Sequence, residues 1–465
     1  MKNYFFIIML LLGGGFACAQ TITVSKETEI PLLTGTNTIV RDYDNDYIVT
    51  YIKNGDTNKF DICSRTFSTN KHFNFNNEFN PIGRIKYAVN DMFVHKKWCY
   101  FCGTKYIPTS VLHSLYGPDL ITYDTMGFVG RFNVDSVWAG SCHYYLRQID
   151  QAKTLDKLTV YEARDLIIDA IGQYKSNTDS SCIVELFYSQ QLGNWRWNYE
   201  VYTLDDQQEI LTDIITTDKM LITASRWHYD RYYLLLRQCT LGGIRNATMP
   251  EARYVYFSSW IDRFPYHPYL LCPTGGQTFV VAYEADNLGP NPGVVLCKMD
   301  NPGSMNKMQY LMPPPSNQLL DIAYVHQKDG TVLLCKDSEH PNGVLRFPKW
   351  SVPSYPYADT ALFSNAIQLQ SIDADNNFNI LAAGKDNQSQ RLHHYVQHRD
   401  YVSDVEDLCM NEDVCDECYD FLSPINSMFH RRVFVKKYSS VFSWSKYQCN
   451  INGMIDHTTC LHTTE

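Results

Sequence analysis

The chain has 465 residues, 15 of them cysteine, and a formal net charge of −10. Its charges are dispersed and form no basic stripe, which excludes nucleic acid as a partner. Aromatic residues make up 14%, including 33 tyrosines, and short Val-, Ile-, Tyr- and Thr-rich runs outnumber segments of helical period, so the expected class is all-β.

The first residues set the compartment. Lys2 provides a positive n-region, residues 4–12 are an apolar run, and Ala17-Cys18-Ala19 is a small-x-small cleavage site. A secretory signal peptide over 1–19 is expected, with cleavage before Gln20; lipidation at Cys18 is the rival reading. No later run reaches the roughly 18 to 20 apolar residues of a membrane helix, so no transmembrane segment is predicted. The expected location is exported: periplasmic, cell-surface or extracellular. Removing Cys18 leaves 14 cysteines, an even number that in an exported chain predicts disulfides. The competing reading is that several, Cys182 and Cys239 among them, are small buried hydrophobes.

From residue 20 to 400 the pattern repeats. Asp42-Tyr43-Asp44-Asn45-Asp46-Tyr47 returns 331 residues later as Asp373-Ala374-Asp375-Asn376-Asn377-Phe378, in both places a polar turn between two β-like stretches. Leu211-Thr212-Asp213-Ile214 returns 108 residues later as Leu319-Leu320-Asp321-Ile322, and turn glycines at Gly127, Gly293 and Gly343 are spaced by 166 and 50. These distances are six, two, three and one multiples of a unit near 50 to 55 residues, and such a period marks a repeat architecture. The clearest unit runs from Leu319 to Phe363 and contains four strands, the pattern of a β-propeller blade. Second strands are expected near 47–51, 98–102, 166–170, 220–224, 279–283, 332–335 and 378–382. The count is therefore about seven four-stranded blades, with six or eight as alternatives and long insertions at 108–124 and 176–181. Ring closure is expected through a terminal strand pairing into the last blade, either 21–24 or 432–436, which removes an exposed edge.

Beyond 401 the composition changes to an acidic stretch with Cys409, Cys415 and Cys418, then a more basic one ending with Cys449 and Cys460. A Cys-rich C-terminal extension, 401–465, is expected to pack on the propeller as a cap.

Two phrases carry a family resemblance. Trp98-Cys99-Tyr100-Phe101-Cys102-Gly103-Thr104, followed by Gly127-Phe128-Val129-Gly130-Arg131-Phe132, resembles blades of the secreted β-propeller proteins of Bacteroidota, many of them uncharacterised. The resemblance implies fold and export, not an activity.

Four candidate chemistries follow. Asp42, Asp44 and Asp46, echoed by Asp373 and Asp375, have the alternate spacing of calcium ligands, but the glycine and downstream glutamate of a calcium loop are missing and tight turns prefer the same residues. Cys415-x-x-Cys418 with Cys409 and His430 or Cys449 is a partial zinc pattern that export turns toward disulfides. Cys99 and Cys102, three apart in a strand, face opposite ways. Glu162, Asp213 and Asp321 fall on first strands, which line a propeller's channel, and a carboxylate pair there suits acid–base cleavage of glycosides. The repetition of Asp213 as Asp321 also suits a structural role, accepting amides from a neighbouring blade. Trp195, Trp197, Trp227 and Tyr229 alternate as a surface for stacking on sugars or protein partners, with interblade packing as the rival role. No P-loop, GxSxG or HExxH motif occurs, and no cofactor is expected. The combined expectation is an exported β-propeller that binds a protein or glycan through loops on one face; the alternative is a carbohydrate-active hydrolase or lyase using the channel carboxylates.

Overall fold

The computed structural model describes most of residues 21–398, chiefly the strands and their tighter turns. Residues 1–20 and 399–465, and interstrand segments such as 242–251 and 254–268, lie outside the described residues. The leader, the Cys-rich extension and its zinc pattern therefore fall outside them.

Among the described residues the strands form seven blade sheets in chain order and one separate two-stranded hairpin, Phe79–Asn80 with Gly83–Arg84. Their innermost strands are Asn37–Tyr43, Lys86–His95, Ala152–Glu162, Glu209–Thr216, Leu270–Gly275, Gln318–Val325 and Ile367–Ala374, which define blades 1 to 7. Each inner strand lies against the next, and the seventh lies against the first, so the sheets close into a ring. This is a seven-bladed β-propeller. The sequence spacings measure blades: Asp42 and Asp373 stand on the inner strands of blades 1 and 7, and Asp213 and Asp321 on those of blades 4 and 6. In blade 2 the second and third strands, Trp98–Leu112 and Leu120–Asn133, are lengthened into a long hairpin, the site of the expected insertion. The hairpin leads into a short helix, Val134–Trp138, whose Ser136 amide donates to Asn133 Oδ1 at 3.0 Å as an N-cap.

An N-terminal strand closes the ring, with a shift from the expected position. Lys26–Ile30 is the outermost strand of blade 7, antiparallel to Leu392–His398. Thr21–Thr23, expected on the last blade, instead runs parallel to Asp359–Leu362 at the edge of blade 6. The first described residues thus cover the edges of two consecutive blades, which protects both from edge-to-edge pairing.

The core lies between blades, as the period-2 alternation of a strand buried on both faces requires. On Tyr47–Asn54, Val49 and Tyr51 pack toward blade 2, while Ile48 and Ile52 pack toward blade 7. The clusters joining blades 2 and 3, 3 and 4, 4 and 5, and 5 and 6 are built the same way. The junction of blades 1 and 2 is aromatic, with Phe60 within 5.1 Å of the rings of Phe73, Phe101 and Phe132. Since no sheet covers both of its faces alone, the ring is stable only as neighbours bury one another.

The cysteines follow this logic. All eight described cysteines are thiols, and none forms a disulfide; the disulfide expectation is not met among the described residues. Seven of the eight are buried, Cys182 among them, and Cys239 is half-buried. Cys99 packs between blades 1 and 2 and Cys102 between blades 2 and 3, so the pair lies on opposite faces of one sheet. Burial pushes the Cys182 and Cys297 thiols up to about 12, which leaves them unreactive at neutral pH.

Candidate functional site at the centre of the ring

The seven inner strands surround a central cavity of about 380 Å³. Its lining carries the carboxylates of Asp42, Asp91, Asp213, Asp321 and Asp373 and the cations Arg41 and Lys157, with an apolar band that includes Ile214, Leu271 and Ile322.

One local device builds the polar ring. In blades 2, 3, 4, 6 and 7 the inner strand holds an extra residue opposite its neighbour strand: Asn90, Asp156, Thr212, Leu320 and Gln370. Such a bulge bends the strand and re-aims the side chain that follows, here Asp91, Lys157, Asp213, Asp321 and Ser371. The bulge requires a glycine across from it in blades 2 and 3. A Cβ on Gly103 would stand 1.9 Å from the Ala88 carbonyl oxygen, and one on Gly172 would stand 2.0 Å from that of Thr154.

The re-aimed groups tie each blade to the next. Asp91 Oδ2 accepts the Leu158 amide of blade 3 at 3.1 Å. Asp213 accepts its own strand's Ile214 amide at 2.8 Å and the Leu271 amide of blade 5 at 2.7 Å. Asp321 does the same with Ile322 and with Ile372 of blade 7, both at 2.9 Å. Blade 7 reaches blade 1 twice: Asp373 Oδ2 accepts the Asp42 amide at 2.7 Å, and Ser371 Oγ accepts the Val40 amide at 3.3 Å. Arg41 joins blades 1 and 2 by donating to the Met92 carbonyl at 2.8 Å and to Asp91 at 2.9 Å. Blades 3 and 4 meet through the Leu211 amide on Ser181 Oγ and the Thr159–Thr216 hydroxyl pair. Blades 5 and 6 meet through the Leu319 amide on Glu284. Every junction therefore has a polar tie beside its apolar packing.

Burial governs the electrostatics. Asp213 is pushed up to about 6 by loss of solvent, against the opposing pull of Lys157 and of its two amide donors. Burial acts to neutralise Lys157, but Asp91, Asp213 and Asp321 outweigh it and raise its ammonium above the ordinary lysine value. Glu284, buried away from the axis, is pushed up to about 8 by desolvation, partly offset by the Leu319 amide.

The sequence-derived candidates separate. Asp213 and Asp321 both face the cavity. Glu162 does not. It is the last residue of its strand, beyond the cavity wall, with 47% of its side chain exposed and its carboxylate on Lys96 Nζ at 2.6 Å. That hydrogen bond holds its carboxyl below the ordinary range. Trp197 is buried rather than presented: the Arg131 guanidinium lies 4.9 Å from its ring and 4.4 Å from that of Trp98, at the junction of blades 2 and 3. Trp227 is half-buried, and the side chains of Trp195 and Tyr229 lie outside the described residues. Of the calcium candidates, Asp44, Asp46 and Asp375 lie outside the described residues, while Asp42 and Asp373 meet at ring closure. Among the described residues no group of three or more His, Cys, Asp or Glu side chains is placed to hold a metal ion.

Sequence reading missed Arg41, Asp91 and Lys157, although a signal for the last two exists. Val89-Asn90-Asp91-Met92, Leu155-Asp156-Lys157-Leu158 and Leu369-Gln370-Ser371-Ile372 share the frame of the two Leu-x-Asp-Ile phrases, apolar-x-polar-apolar. The frame is the bulge itself: an apolar core residue, the extra residue, the axial polar group, and the next apolar residue.

No protein-family model and no curated protein matches the chain. Among solved structures it is similar to the β-propeller domain of the Trilobed protease from Pyrococcus furiosus, with 8% identity over 79% of this chain and 99% of that one and a TM-score of 0.45. It is also similar to a polysaccharide lyase, ulvan lyase, with 8% identity, 84% and 98% coverage and a TM-score of 0.45. A third is the NanB sialidase of Streptococcus pneumoniae, with 9% identity, 80% and 70% coverage and a TM-score of 0.40. The propeller assignment rests on the sheet topology, not on these distant likenesses.

Proposed function

We propose that the chain is an exported binding protein whose propeller recognises a protein or glycan at the face where the central cavity opens, with residues 401–465 as a Cys-rich extension packed against the ring. The observation that carries this reading is the engagement of the axial carboxylates. Asp213, Asp321 and Asp373 each accept the amide of the following residue and an amide of the next blade, so they already act as structural acceptors. A cavity lined by all seven blades supports recognition. The signal-like leader supports export.

The test is a screen of the mature chain against glycans and candidate protein partners, with product analysis on every glycan that binds. The expected result is saturable binding without cleavage. A second reading, a carbohydrate-active hydrolase or lyase, draws support from Asp213 at about 6 facing the same cavity as Asp321. New reducing ends or unsaturated products, lost in a folded Asp213→Asn/Asp321→Asn variant, would establish that reading and overturn the first.

A further inference from the structure

The binding reading gains a specific residue from the blade that breaks the pattern. After the bulge, Asp91, Asp213, Asp321 and Ser371 each accept a backbone amide of the next blade. Blade 3 has Lys157 at that position. An ammonium has no lone pair and can accept nothing, and the junction of blades 3 and 4 is made elsewhere, by Ser181 and by the Thr159–Thr216 pair. Among the described residues, no hydrogen bond or ion pair engages the Lys157 ammonium. The side chain is half-buried and lines the cavity. Blade 3 thus gives up the closing bond at this position, while Asp91, Asp213 and Asp321 favour the charged form of the lysine.

We infer that Lys157 anchors a ligand in the central cavity, and that this ligand presents an uncharged, hydroxyl-rich group, the neutral ring of a sugar. The inference rests on the binding reading and narrows it to one site and one chemistry. Five carboxylates line the cavity, so an anion is repelled, whereas a cation must approach the Lys157 ammonium itself. A hydroxyl meets neither penalty, because it accepts from the ammonium while donating to a carboxylate. Among the described residues, Asp213 Oδ1 and Oδ2 and Asp321 Oδ1 each accept a single hydrogen bond, which leaves a lone pair on each for that purpose. Phe93, Pro273 and Ile322, half-buried at the cavity wall, provide apolar surface for the C–H face of a sugar. The volume of about 380 Å³ falls at the lower end of the roughly 300 to 1,000 Å³ of small-molecule pockets, room for one or two rings.

The experiment uses neutral fragments of cellulose, mannan, xylan and chitin, with alginate, pectin and chondroitin fragments as the anionic arm. Binding is measured by calorimetry on the mature chain, on Lys157→Met, and on Ala374→Trp, which fills the cavity from blade 7. Wild type is expected to bind neutral fragments, Lys157→Met to bind about 10- to 100-fold more weakly, the loss of one hydrogen bond from a charged donor, and Ala374→Trp to lose binding. If Lys157→Met does not fold, loss in the folded Ala374→Trp protein still supports the cavity site. Unchanged affinity in Lys157→Met or in Ala374→Trp, or a preference for the anionic fragments, overturns the inference while the binding reading stands. Wild type that binds no glycan overturns it too and leaves the binding reading to protein partners alone.

Discussion

Glu284 should make the fold weaken as pH rises, and Glu284→Gln should remove that dependence. The carboxyl lies near the end of the second strand of blade 5, almost wholly buried, and accepts the Leu319 amide of blade 6. Loss of solvent moves it from its ordinary 4.5 to about 8. Because the folded value lies above the unfolded one, the stabilising contribution is fully present below about 4.5 and is lost as pH rises toward about 8. At about 1.4 kcal/mol per pH unit, that separation is worth about 5 kcal/mol at most, of which about 3 to 4 kcal/mol is already lost at pH 7. Glutamine keeps the acceptor for Leu319 and cannot ionise. Urea unfolding of both proteins at pH 4.5, 7 and 9, followed by tryptophan fluorescence and circular dichroism, gives the comparison. Relative to wild type, Glu284→Gln should gain stability steadily with pH and be the more stable protein at pH 9. An offset that is the same at all three pH values, or that grows toward low pH, would refute the assignment of a buried, high-pKa carboxyl at this junction.

Asp213→Ala leaves the Ile214 and Leu271 amides without their acceptor; at roughly 1 to 3 kcal/mol per buried donor it should cost about 2 to 6 kcal/mol, read as a lowered urea midpoint. Gly172→Ala forces a methyl group against the Thr154 carbonyl, so blade 3 should lose its bulge and the protein should unfold at a much lower temperature or fail to accumulate in soluble form. Deleting residues 21–30 uncovers the edges of blades 6 and 7 together; light scattering should show concentration-dependent association, and thermal unfolding should begin earlier than in the full chain.

Much of this architecture was legible in the sequence because a blade is a local object. Its four strands follow one another along the chain, their turns use Gly, Pro, Asn and Asp, and the inner strand of each blade meets the same neighbours as that of the one before. Residues that solve the same packing problem therefore recur at blade spacing, which is why Asp42 and Asp373, and Asp213 and Asp321, could be matched from spacing alone. The alternation of Cys99 and Cys102 was legible for the same reason, since a strand's period assigns opposite faces without any knowledge of what lies beyond them.

Tertiary structure decided whatever depends on two segments distant in the chain. Only closure of the ring shows that Lys26–Ile30, not 21–24, completes blade 7, because the seam is formed by residues from opposite ends. Only convergence on the axis separates Asp213 from Glu162: both lie on inner strands, but one follows a bulge and turns inward, while the other ends its strand in reach of Lys96. The role of a repeated aspartate depends on which amide it meets across a junction, and that of Lys157 on its meeting none. Such distinctions arise from geometry among seven separate strands, and no local pattern carries them.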